Sequence, residues 1–276
     1  ILYFKNNMNS TSPKILILDN DECTGQYGLL TILFNIYKHF RKDVDIDQLA
    51  NFMIDNYLSP TETSVGAFRP YFKEFLDEIR LMIDSGKIDE LVIYTAASNA
   101  NNWVGTLTRC IEIYGEFKEG QIRYISGEYI EEFDKYNCPI KDLNTCVRTS
   151  HLDGDIDKCF MIDDKIYQIK QYDTEYYSNL CSVEQYHGFV NPMRFLSKCP
   201  FWDILVENRI FGYNDEEEMK KGHFKVSTED MKHPVGMALS AINYDSYNNP
   251  WTNIDSNNKD DTSLIRAMER IKEFYR

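Results

Sequence analysis

The sequence predicts an α/β protein built on a doubly wound parallel sheet, with a small helical insert after the first strand. Three observations carry this prediction. Short unbroken apolar runs at Lys14-Ile15-Leu16-Ile17-Leu18, Leu91-Val92-Ile93-Tyr94 and Cys159-Phe160-Met161-Ile162 read as strands buried on both faces. Amphipathic helical patterns lie between them. Alternation of the two kinds of segment implies parallel strands joined by crossover helices.

The first strand stops at charged residues, and the chain turns at Gly25. From Leu29 to Phe40 the residues Leu29, Leu30, Leu33, Ile36, Tyr37 and Phe40 share one helical stripe, and Ile46 to Tyr57 carries a second. These two helices form the insert. Pro70, the face Phe72, Phe75, Leu76, Ile79, Met82, Ile83, and Gly86 just past the end mark the next helix. After the strand at 91–94 comes a helix with Trp103, Val104, Leu107 and Ile111, then a strand at Gln121 to Ile125. Beyond Asp164 the pattern weakens to a strand near Cys181 to Glu184 and a helix near Phe201 to Val206. Tyr213 to Asp261, polar, acidic and Asn-rich, reads as loops or partial disorder. A closing helix is expected to face Leu264, Ile265, Met268, Ile271 and Phe274 inward, with Thr262 or Ser263 near its start.

The formal charge of −14 opposes general nucleic-acid binding, because a phosphate-backbone reader gains from a basic face. Seven scattered cysteines, with no C-x-x-C spacing, suggest neither a disulfide framework nor a zinc cluster. No apolar run approaches the ~20 residues of a membrane-spanning helix, and the opening residues lack the pattern of a secretion signal. A soluble protein of a reducing compartment, cytoplasmic or nuclear, with no membrane partner, is the expectation.

In open parallel sheets the ligand site lies outside the carboxyl ends of the strands. The residues just after the buried runs are Asp19 and Asp21, then Thr95 and Ser98, then Asp163 and Asp164. Four carboxylates in one crevice repel one another and raise each other's pKa unless a cation neutralises them. A hard divalent ion with oxygen ligands answers that need, and Mg2+ suits a site with few carboxylates and room for phosphate oxygens. In a D-x-D pair alternate side chains point apart. Asp19 is thus expected to attack phosphorus while Asp21 protonates the leaving oxygen and later deprotonates water. A hydroxyl at Thr95 and an ammonium nearby would hold the equatorial oxygens.

Asp19-Asn20-Asp21-Glu22-Cys23-Thr24 resembles the D-x-D-x-[TV] first motif of the haloacid dehalogenase superfamily. Tyr94-Thr95-Ala96-Ala97-Ser98 is similar to its second motif, and Met161-Ile162-Asp163-Asp164 to its fourth. Within that superfamily the likeness is strongest to phosphatases of the RNA polymerase II C-terminal-domain group. Their R-P…F-L and K-D-L elements are similar to Arg69-Pro70…Phe75-Leu76 and Lys141-Asp142-Leu143. The resemblance spans roughly Lys14 to Lys165. It implies a Rossmann-like catalytic domain over residues 10–212, with the helical insert at about 26–66. Residues 213–276 would be an acidic loop-rich segment and a helix packing on the same domain.

The resemblance also makes Lys141 the cationic third-motif residue. It assigns Mg2+ to Asp19, the main-chain carbonyl of Asp21, and Asp163 or Asp164, with Asp164 favoured as the direct ligand. Cys23 stands where that group has Thr, and the helical insert replaces strand and loop. The expected function is a magnesium-dependent phosphomonoesterase, preferably acting on phosphoserine or phosphothreonine in proteins. The alternatives are a small-molecule or nucleotide phosphatase of the same chemistry, and a non-catalytic binding protein of the same fold.

Overall fold

The computed structural model describes residues 12–28, 45–60, 66–149, 155–186 and 261–276, together with residues 30, 31, 34, 35 and 38. Its centre is a five-stranded sheet in which every pairing is parallel. β1 (Ile15–Leu18), β2 (Glu90–Tyr94), β3 (Ile122–Ile125), β6 (Cys159–Asp163) and β7 (Leu180–Ser182) lie in the order β3-β2-β1-β6-β7. The chain therefore winds outward from β1 on one side, then returns to β1 and winds out on the other. Such a reversal of strand order opens a crevice at the carboxyl ends of the two strands that flank it, here β1 and β6.

The unbroken apolar runs follow from cover on both faces. Leu16 and Leu18 of β1 join Leu91, Ile93, Phe160 and Ile162 in one core. Ile15 and Ile17 join Val92, Tyr94 and Met161 in the other. Alternate residues of each strand thus feed opposite layers, as the two-residue period of a strand requires.

The first layer is made by α2 (Phe72–Asp84), α3 (Trp103–Tyr114) and α5 (Ser263–Phe274), together with the insert. α4 (Leu143–Thr149) supplies Leu143 and Cys146 to the second. In the insert, residues 28, 30, 31, 34, 35 and 38 are helical, and Leu30 and Phe34 are buried. Phe34 lies against Trp103 with ring centroids 5.1 Å apart. α1 (Ile46–Met53) begins at Asp45, whose side chain accepts from the Gln48 amide, and ends in a π-helical turn over Ile54–Leu58. Arg109 clamps α1 to α3 by binding both oxygens of Asp47 at 2.6 and 2.9 Å.

Two expectations need correction or extension. Ile265 faces solvent with 44% of its surface exposed, and Ala267 takes an inward position on α5 instead. A small antiparallel hairpin of β4 (Glu132–Phe133) and β5 (Pro139–Ile140) precedes α4 and was not foreseen. Its strands are too short to leave a period in the sequence. Its turn is organised by Asp134, which accepts from the amides of Tyr136 and Cys138 at 2.8 Å each. The expected helix near 201–206, the polar stretch from 213 to 260, and residues 29, 33, 36, 37 and 40 of the first stripe lie outside the described residues. The six described cysteines are free, five of them buried. No helix among the described residues is long and apolar enough to cross a membrane.

Arg69 is the least expected member of the interior. Its side chain is 0% exposed and all its bonds tie distant segments together. Nε bonds Asp261 at 2.6 Å, Nη1 the Cys23 carbonyl at 2.9 Å, and Nη2 the Glu184 carbonyl at 2.6 Å. The loop after β1, the exit of β7 and the start of α5 meet on this one guanidinium. Burial would raise the Asp261 carboxyl, but the bonds from Arg69 and the Ser263 amide hold it below its ordinary value.

Removing one member of a buried pair strands the other without solvent. Arg69→Met is therefore expected to cost about 3 kcal/mol of stability in urea unfolding, and a loss under 0.5 kcal/mol would show the network to be incidental. Because the folded pKa of Asp261 is depressed, its contribution is present above the unfolded value of about 4 and fades as pH falls through the lower folded one. The stability gap between the parent and Asp261→Asn should narrow as the solution is acidified below that value.

Candidate active site

The register of the sheet brings the acidic residues together before any side-chain choice is made. Leu18 pairs with Ile162 on one side and Ile93 on the other, so Asp19, Asp163 and Tyr94 follow at one level. The Asp19 amide extends the ladder by donating to the Ile162 carbonyl at 2.9 Å. Asp19 and Asp163 are 4% and 2% exposed. Carboxylate oxygens of Asp19, Asp163 and Asp164 all lie within 4.8 Å of one another.

Lys141 stands among them, only 7% exposed. Its Nζ donates to Asp19 Oδ1 and, at 2.7 Å, to Asp163 Oδ2. The β4–β5 hairpin delivers it, and its main chain is fixed on both sides: its amide donates to the Gln168 carbonyl and its carbonyl accepts from the Lys170 amide. Burial alone would lower the ammonium's pKa, yet the charges of Asp163 and Asp19 outweigh it and hold Lys141 protonated. Burial raises the Asp19 carboxyl well above the usual carboxylate range; Lys141 opposes this and Asp163 adds to it. Asp164 is raised by burial and then by the neighbouring Asp163 charge.

Asp21 and Thr95 complete the wall. Burial pushes Asp21 up to about 6, against the pull of Lys141 and a hydrogen bond with Thr95. Two close backbone approaches shape the loops that carry these residues. A Cβ at Gly25 would sit 2.5 Å from the Ala67 carbonyl oxygen, and one at Gly127 2.4 Å from that of Ala96. Only glycine fits either position without moving the backbone.

All six residues expected from the sequence, Asp19, Asp21, Thr95, Lys141, Asp163 and Asp164, line one pocket of about 90 Å3. Ser98 does not line it. Its hydroxyl turns away to Glu128 Oε1 at 2.6 Å, which also accepts from the Asn99 amide at 2.8 Å. Glu128 is a residue the sequence did not flag: these bonds and one with Ser126 hold its carboxyl at about 2. Lys165 was also missed. Its Nζ binds Glu22 Oε2 at 2.7 Å and lies 3.5 Å from Asp164 Oδ2. Cys23 is fully buried with Sγ 3.8 Å from the Ile162 carbonyl, and burial pushes its thiol far up, which suits packing and not reactivity.

The donor set fits a hard divalent cation. Asp164 Oδ2 is buried, and its one cationic neighbour among the described residues is the Lys165 ammonium at 3.5 Å, a distance that leaves room for a closer cation. Three clustered carboxylates and no nitrogen or sulfur donor among them match the oxygen preference of Mg2+. Asp163 is the worse placed of the final pair for direct ligation. Its Oδ2 is taken by Lys141 and its Oδ1 accepts from the Lys165 amide at 2.6 Å.

No protein-family model matches the chain, and no curated protein matches it.

Lys141 and a divalent cation relieve the same repulsion, so each should matter more when the other is missing. In Lys141→Met, the melting temperature in EDTA should fall by roughly 5–10 °C, as loss of one buried partner at this chain length implies. Mg2+ should then raise it more than it raises that of the parent. Equal shifts on adding Mg2+ would show that the carboxylates do not share one field.

Proposed function

We propose that this protein is a magnesium-dependent phosphomonoester hydrolase that forms an aspartyl-phosphate on Asp19, and that its substrates are phosphoserine or phosphothreonine side chains of proteins. The observation that carries the reading is the grouping of Asp19, Asp163 and Asp164 carboxylate oxygens within 4.8 Å of one another at the strand-order reversal, in a pocket that Asp21, Thr95 and Lys141 also line. The likeness of the motifs at Asp19–Thr24, Tyr94–Ser98, Lys141–Leu143 and Met161–Asp164 to those of the haloacid dehalogenase superfamily supports it further.

In this reading Asp19, Asp164 and the carbonyl of Asp21 would hold Mg2+, with Asp163 supporting from behind. The ion supplies positive charge that lets clustered carboxylates ionise and draws phosphate oxygens toward them. The chain's own groups do the remaining work. One Asp19 oxygen attacks phosphorus as the ester oxygen leaves, and that leaving oxygen takes the proton of Asp21. Asp21 near 6 is poised to give this proton and then to accept one from the water that cleaves the aspartyl-phosphate. The Lys141 ammonium and the Thr95 hydroxyl stabilise charge gathering on the equatorial oxygens.

The size of the pocket favours a large substrate over an enclosed metabolite. About 90 Å3 admits a phosphoryl group and little else, whereas clefts that surround whole small molecules occupy ~300–1,000 Å3. A substrate that offers its phosphate from the end of a side chain and leaves its bulk outside satisfies this constraint.

Purified protein should turn over an aryl phosphate with Mg2+ and stop with EDTA; metal-independent or absent turnover would sink the proposal. Asp19→Asn should abolish the reaction while leaving the thermal melt near that of the parent. Asp21→Asn should lower kcat by roughly two to four decades, the span typical of a general acid-base group. Its loss should be larger for alkyl than for aryl phosphates, since poorer leaving groups depend more on protonation.

A further inference from the structure

Asp164 has a second side. Besides closing the small pocket it forms part of the wall of a larger cavity of about 550 Å3, bounded by the exit of β7 and by α5. This volume lies inside the ~300–1,000 Å3 range of ligand clefts. Its notable lining is a pair of arginines, Arg266 and Arg270, one helical turn apart on the same face of α5. Both are exposed. Arg270 has no ion pair or hydrogen bond among the described residues. Among the described residues Arg266 donates to Ser263 Oγ at 3.3 Å and lies 3.6 Å from the exposed Glu184 Oε1, and an exposed ion pair of that kind is weak.

Two such guanidinium groups are out of keeping with their surroundings. The chain carries −14, and the neighbouring pocket presents Asp19, Asp21, Asp163 and Asp164 against Lys141 and Lys165. A substrate bearing further negative charge beside its phosphoryl group would be repelled from this rim in most directions. The arginine side is the direction in which it would be drawn in, and the planar fork of guanidinium matches carboxylate and phosphate equally.

We propose that this cavity is a specificity subsite, in which Arg266 and Arg270 bind an anionic group flanking the phosphoresidue of a protein substrate: an acidic side chain or a second phosphate. The proposal rests on the phosphatase reading above. It converts that reading from a generic activity into a preference for acidic or multiply phosphorylated stretches of chain. Neither arginine belongs to the machinery assigned to the chemical step, so aryl phosphate turnover measures the latter alone.

The test compares kcat/KM on short phosphoserine peptides that differ only near the phosphoresidue: neutral flanks, glutamate flanks, a second phosphoserine, and lysine flanks, with p-nitrophenyl phosphate as reference. The parent is expected to favour both anionic sets over the neutral one by roughly three- to tenfold, the reach of one or two exposed charge pairs. That preference should shrink as salt is raised. The double substitution Arg266→Gln and Arg270→Gln, helix-compatible at both positions, should erase the preference while leaving p-nitrophenyl phosphate turnover unchanged. Arg270→Glu should turn it toward lysine flanks. A parent that hydrolyses p-nitrophenyl phosphate but ranks the peptides equally, or keeps its ranking in the double variant, overturns the subsite alone. Absence of any turnover overturns the phosphatase reading and the subsite with it. A preference for only one anionic set identifies which of the two sources the site accepts.

Discussion

Crowding of negative charge at one reversal of strand order is the constraint around which this molecule is arranged. Parallel pairing of β1 with β6 leaves Asp19 and Asp163 no choice but to be neighbours, and Asp164 joins them. At an effective dielectric of 20, two ionised carboxylates 4.8 Å apart repel by on the order of 3 kcal/mol. Against a typical folding stability of only ~5–15 kcal/mol, three such contacts are a heavy load. One ammonium, that of Lys141, lies between two of the acids. The cluster still has more carboxylates than cations, which is why burial keeps pushing Asp19, Asp21 and Asp164 toward their neutral forms. The fold tolerates the load because the surrounding sheet is packed on both faces, with Leu16, Ile17, Leu18, Met161 and Ile162 at 0% exposure.

The parts of this arrangement that the sequence discloses are those with short-range causes. β1, β2 and β6 are legible because a strand covered on both faces must be apolar throughout, and the acids after them are legible because the run stops abruptly. Strand order is not written in any local pattern, so the reversal between β1 and β6 becomes visible only when the sheet is assembled. Lys141 is assigned in the sequence by motif likeness alone. Its physical position depends on a hairpin of two-residue strands and on main-chain bonds to Gln168 and Lys170, about 28 residues further on. Glu128 escapes notice for the same reason: the groups it holds, Ser98 and the Asn99 amide, are 30 and 29 residues away. Ile265 misleads because an apolar residue at a helical spacing need not be covered, and a single exposed one is ordinary.

Around the charged centre, backbone geometry helps to hold the loops. Gly25 and Gly127 each sit where a carbonyl oxygen occupies the space of a side chain. Glu22 holds a left-handed backbone conformation at φ 64°, uncommon for a residue with a Cβ. Its side chain nonetheless binds Lys165, and its carbonyl accepts from the Tyr186 amide at 2.8 Å. Fixed loops of this kind hold the side chains of the pocket in one arrangement, as the chemistry proposed above requires.

Two of the fastenings of α5 bear on how the chain acquires this form. Asp261 at its start grips Arg69 across 192 positions, and the Tyr275 hydroxyl near its end donates to the Ile15 carbonyl, 260 positions away, at 2.6 Å. Links of such separation carry a large loop-closure cost and slow the search for the native arrangement. A nascent chain can pair β1, β2 and β3 while still being synthesised, but it lacks the counter-ion for Arg69 until residue 261 has cleared the ribosome. Until then that guanidinium has no carboxylate among the partners described above, and an interior left incomplete in this way is the kind of surface that chaperones and proteases engage.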